Sequence, residues 1–164
     1  MYDISVPVFI RAFENLSKIL EKGEAFAREK SIDPSELVET RLVADMDPLR
    51  SQIQRASDSA KGAGARLTGA DNPSFPDEEK TFADLQGRIA KTVAFLKGLD
   101  AKAFEGSDTR EVTINVRRAP VTLPGQDYLL KFAIPNVFFH VTTAYDILRH
   151  RGVEVGKMDY LGDI

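Results

Sequence analysis

The sequence predicts a mainly α protein, an up-down four-helix bundle with a small β-hairpin before its last helix. Three observations carry that expectation. Four long segments repeat apolar residues at steps of three and four, which is the helical period. Prolines, glycines and capping residues punctuate those segments. Between Phe104 and Pro124 the period changes to alternation, the period of a strand. The 164 residues leave room for one domain with a real core, so a single domain over residues 1–164 is expected.

Ser5 is placed to cap the first helix, with Pro7 in the opening turn where a missing N–H does no harm. Val6, Phe9, Phe13, Leu16, Leu20 and Ala27 mark its apolar stripe to about residue 29. Asp33-Pro34 breaks the pattern, and Pro34 to Glu39 suit one further turn. Asp47-Pro48 reads as an N-cap followed by proline at the first position of helix two. Its stripe is Leu49, Ile53, Ala56, Ala60, Ala63 and Leu67, and Gly69 supplies the stop. The small residues from Ala56 to Ala65 allow a close helix neighbour or leave a hollow; interiors tolerate few voids, which favours close packing.

Asn72 to Pro76 is a loop by composition. Thr81 and Asp84 have the spacing of a capping box, ahead of a third stripe through Phe82, Leu85, Ile89, Val93, Leu96 and Leu99. Val112, Ile114 and Val116 alternate with polar residues; after Arg118-Ala119-Pro120 come Val121, Thr122 and Leu123, which together read as a hairpin. The fourth helix covers roughly Gln126 to Arg151, with Pro135 expected to kink or restart it and Gly152 closing it.

Composition narrows the function. A net charge of −3 offers no basic surface for phosphates, so no nucleic-acid partner is expected. No uninterrupted apolar run is long enough for a membrane span. The N-terminus lacks the basic and apolar segments of a signal peptide, and there are no cysteines. A cytoplasmic protein is the expectation. Lysines and arginines are scattered among acids and read as solvated faces.

The segments SVPVFIRAFENLSKIL, DMDPLRSQIQRASDSAKGAGARLTG and PGQDYLLKFAIPNVFFHVTTAYDILRHRGVEVGKMDYLG resemble the DinB/YfiT-like superfamily. Within it they resemble a DinB-like family of domains of unknown function. The resemblance implies a four-helix bundle, often dimeric, with a ligand cleft at one end. In many members that cleft holds a divalent metal, commonly zinc or nickel, on one histidine from helix two and two from helix four. Some members transfer or isomerise small-thiol conjugates. Counted back from Gly152, His140 falls at one of the helix-four positions, but one turn earlier stands Asn136. Helix two has no histidine, since His140 and His150 are the only two. The three-histidine site cannot be built within one chain. A neutral amide is a poor ligand for these metals, so His140 with Asn136, Gln52 and Asp45 or Asp47 makes a weak candidate at best. No resident metal or other cofactor is expected.

His140 has three readings: weak metal ligand, general acid or base, or structural partner of Asn136 or of Gln52 across the bundle. His150, between two arginines at a helix C-terminus, is explained by the helix dipole. Phe132, Phe138, Phe139 and Tyr145 are too many for one stripe, so they suit an aromatic pocket wall or a dimer face. Two functions follow. In the first, a small-molecule ligand sits in a bundle-end cleft bound by His140, Asn136, Gln52, Tyr145 and Phe139. In the second, the chain is a non-catalytic homodimer whose Asn136/His140 pair is structural.

Overall fold

Each apolar stripe becomes a helix in the computed structural model, which describes residues 1–163. In chain order these are α1 (Val6–Glu29), α2 (Pro34–Val38), α3 (Leu49–Thr68) and α4 (Phe82–Lys97). Then follow β1 (Glu111–Val116), β2 (Ala119–Pro124), α5 (Gly125–Tyr128), a π turn (Leu129–Ala133), α6 (Ile134–His150) and α7 (Lys157–Leu161). The core is the inner face of the four long helices: Phe13, Leu16 and Leu20; Ile53, Ala56 and Ala60; Leu85 and Leu96; Val137, Ala144 and Leu148 are all wholly buried. Each large apolar side chain so buried stabilises the fold by about 1.5–3 kcal/mol before entropy is counted.

The four-helix bundle and its hairpin are as expected, but the contacts replace the expected up-down alternation with an up-down-down-up order. α1 packs on α4 and α6, and α3 packs on the same two, so α1 and α3 lie across the bundle from each other. Pairs such as Ser17–Gln86 and Glu14–Lys97 make α1 and α4 antiparallel. Gln52–His140 and Ser59–Asn136 do the same for α3 and α6. α3 and α4 run the same way, because Ser57 meets Thr92 and Gly64 meets Leu96 and Leu99. A parallel pair needs a return loop, and residues 69–81 provide one: thirteen residues reach about 43 Å extended, while α3 spans about 30 Å.

Arg88 fastens that loop, and here the expectation of solvated cations fails. Its side chain is fully buried. The guanidinium donates to the carbonyls of Phe75 and Pro76 and to the carboxylates of Asp58, Asp77 and Glu79, while Nε reaches Ser57 Oγ. Lys61 is also buried, paired with Asp58 and lying over the Phe75 ring at 5.3 Å. None of the loop residues 69–81 is fully buried, so the Arg88 donors to the Phe75 and Pro76 carbonyls are what tie it to the helix pair.

Two caps differ from expectation. Ser5 Oγ donates back to the carbonyls of Met1 and Tyr2 and does not cap α1. Pro48 is the N-cap of α3, leaving the Asp47 carboxylate for Arg55. The Thr81–Asp84 capping box and the left-handed Gly69 are found. The hairpin turns at Arg117-Arg118, both at positive φ, and Pro120 lies in β2 opposite Asn115. The expected break at Pro135 takes the form of the π turn just before it.

Candidate functional site

The α3–α6 seam carries a row of polar pairs, and near the start of α3 it opens into a cleft of about 520 Å³. Asp47, Arg55, Asp58 and Ser59 line it from one side, Asn136 and His140 from the other. Helical spacing explains the assembly. Asn136 and His140 are one turn apart on α6, while Gln52 and Ser59 are two turns apart on α3, so each α6 residue meets its own partner.

Buried Gln52 sets the state of His140. Gln52 Nε2 donates to the Asp47 carbonyl at 2.8 Å, which turns Oε1 toward His140 Nδ1, also at 2.8 Å. The amide oxygen can only accept, so Nδ1 carries the ring proton and Nε2 keeps its lone pair. Burial disfavours the charged ring, the positive charge of Arg55 adds to that, and Asp47 opposes it; the His140 pKa falls to about 4. At neutral pH the imidazole is uncharged. An imidazole this weakly basic accepts a hydrogen bond far more readily than it takes a proton. One turn away, Asn136 Nδ2 donates to Ser59 Oγ at 2.9 Å, leaving the Ser59 proton free to donate. Arg55 pairs with Asp47 at 2.7 Å, both half exposed. Asp58 is drawn back toward Arg88 and Lys61.

His140, Asn136 and Gln52 are therefore brought together. Phe139 is beside them but 56% exposed, with its ring edge against His140 at 5.2 Å. Tyr145 lies elsewhere: its hydroxyl donates to the Val155 carbonyl and its ring meets Tyr160, under the C-terminal segment. Asp45 is exposed and does not line the cleft. Sequence reasoning missed Arg55 and Ser59, although the four-residue step between them was a readable signal. A larger hollow of about 780 Å³ lies between α1 and α4. It holds no histidine, and its Ser17–Gln86 pair is satisfied internally, so the smaller cleft is the better candidate.

The family model for the domain of unknown function DUF1993 matches residues 1–161. A crystal structure of a DinB family member protein from Shewanella denitrificans superposes with a TM-score of 0.94. It is 42% identical, over 99% of this chain and 92% of that one. The chain is a DUF1993 member of the DinB family. No curated protein matches it. Among the described residues of this DinB-family chain, no helix is long and apolar enough to cross a membrane.

The superfamily resemblance raises a metal, and the donor set of this member can be tested against it. Among the described residues no three His, Cys, Asp or Glu side chains stand together to hold an ion. His140 Nδ1 is engaged by Gln52, Asn136 offers an amide, and Arg55 brings a positive charge into the same cleft. These groups do not suit zinc or nickel.

Proposed function

We propose that this DinB-family protein binds a small organic molecule in the His140 cleft, with the three-histidine metal site of the superfamily missing. The single observation that carries this is the locked neutral imidazole: Gln52 holds Nδ1–H, leaving Nε2 as a fixed acceptor in an accessible cleft. The Ser59 hydroxyl and Arg55 supply a donor and a cation beside it. His140 orients the ligand through Nε2, and a proton moves to it only if the bound ligand raises its basicity.

Ligand-observed NMR with a library of small polar compounds tests the reading on wild type and His140→Ala. Binders lost in the variant, with its circular dichroism unchanged, support it; binders held equally well by both would sink it. Elemental analysis after challenge with zinc, nickel and manganese tests the metal. Stoichiometric metal that disappears with His140→Ala would overturn the metal-free reading. A homodimer is the second reading, favoured by the exposed Phe139 ring at the cleft rim. Sedimentation should then give a dimer that Phe139→Asp dissociates; a wild-type monomer counts against it.

A further inference from the structure

A ladder of polar pairs joins α3 to the last helical stretch, and only two of its rungs belong to the cleft. Gln52 meets His140 and Ser59 meets Asn136; beyond them, Arg66 Nη1 donates to the Tyr128 hydroxyl at 3.3 Å. On α3 these residues stand seven apart, about two turns each, so they share a face. Opposite them, Asn136 and Tyr128 stand eight apart, which in an unbroken α-helix would carry Tyr128 about 80° off the stripe. The π turn absorbs one residue and leaves seven, again about two turns. It brings Tyr128 back to face Arg66.

Arg66 is held in place yet uncommitted in charge. The residue is exposed, and its guanidinium folds back over Gly62, where Nη1 occupies the space a Cβ would fill. It lies over the Tyr128 ring at 5.9 Å, and Phe132 stacks on that ring at 6.1 Å. Arg55, Arg88 and Lys61 all pair with carboxylates. Among the described residues Arg66 has no such partner; its bond is to the neutral Tyr128 hydroxyl. A guanidinium fixed in position with its charge unanswered is suited to carboxylate or phosphate oxygens. Gly62 is three residues past Ser59, so this cation sits about 5 Å beyond the cleft edge and roughly 15 Å along α3 from the Gln52–His140 pair.

Resting on the cleft reading above, we infer that the ligand is an elongated organic oxyanion, a carboxylate or a phosphate monoester. Its anionic end pairs with Arg66 above Gly62, its body lies over Ser59, and its polar end donates to His140 Nε2. The test adds three probes to isotope-labelled protein: 3-(4-hydroxyphenyl)propionate, 2-(4-hydroxyphenyl)ethyl phosphate, and the neutral 3-(4-hydroxyphenyl)propan-1-ol. NMR follows the Arg66 side-chain N–H and the His140 ring. At least one anion should shift both signals with one common affinity, while the alcohol shifts neither at the same concentration. Preference between the two anions identifies the oxyanion. Arg66→Gln should weaken binding by about tenfold or more. Gly62→Ala, which displaces the guanidinium without removing it, should also weaken it, with the fold of each variant checked by circular dichroism. If all three probes shift His140 alike and Arg66→Gln changes nothing, the Arg66 subsite is overturned while the cleft reading stands. If an anion shifts Arg66 and leaves the His140 ring still, one ligand does not span both, and the inference fails. No saturable shift at Arg66 with either anion also overturns it, and a silent His140 then counts against the cleft as well.

Discussion

An imidazole that is neutral in the fold but free to charge in the unfolded chain ties stability to pH. The folded pKa of His140 is about 4 against an ordinary 6.5, so between these values the unfolded chain binds more protons. The contribution is fully present above pH 6.5 and is lost as pH falls toward 4. With solvent screening of a partly exposed ring it amounts to about 1–2 kcal/mol. Urea unfolding at pH 7 and pH 4.5 should show this loss in wild type and less of it in His140→Gln; equal losses would mean the ring is not depressed. Arg88 presents the opposite case, a buried cation answered by three carboxylates. Arg88→Met should cost about 2–4 kcal/mol, because the nearly buried Glu79 carboxylate and the Phe75 and Pro76 carbonyls lose their donor, while Asp58 keeps Lys61. Faster hydrogen exchange in residues 70–80 should accompany it. The sequence made His140 visible as a polar residue on the flank of an apolar stripe. Arg88 stood one step from Ile89 and four from Thr92 on the inner side of α4, and its chemistry masked that position. Charge type is a poor guide to burial where a loop of bare carbonyls must be held.

At the scale of elements, periodicity was enough to place all four long helices and the hairpin, because apolar spacing is set by the core. It was not enough where backbone geometry decides. The hairpin turn falls on Arg117-Arg118, whose positive φ angles neither residue advertises. The π turn likewise leaves no mark except Pro135 a little downstream. Two glycines show how differently such positions respond to one added methyl. At Gly125 a Cβ would run into the Ser107 carbonyl, which is backbone and cannot swing aside. Gly125→Ala should therefore cost about 3 kcal/mol and loosen the hairpin from the end of α3. At Gly64 the obstacle is the tip of Leu99, which can rotate. Alanine there also gains about 0.5–1 kcal/mol of helix propensity, so Gly64→Ala should stay within about 1 kcal/mol of wild type. Denaturation midpoints of the two variants should separate clearly; equal effects would mean the end of α3 is less tightly built than its contacts indicate.

Across the whole molecule, the cleft and the C-terminal segment use different faces of α6. Asn136 and His140 look toward α3, while Thr142 and Tyr145 meet Tyr160 on the other side. The segment then fastens to α1 through Lys22–Asp159 and through Asn15, whose amide donates to the Tyr160 carbonyl. This division explains why Tyr145 could not be assigned from sequence: helical spacing put it near the aromatic cluster, but only the return of the C-terminal chain decides which face needs it. It also yields a prediction that separates stability from the site. Ending the chain after Gly156 removes α7 and uncovers buried Asn15, which should lower stability by about 1–3 kcal/mol. The His140 ring, with Gln52 and the Asp47 carbonyl intact on the far side, should keep its NMR shifts and its titration near pH 4. A ring that moves with the truncation would mean that α6 transmits strain across the bundle, and that the C-terminal segment belongs to the site as well as to the fold.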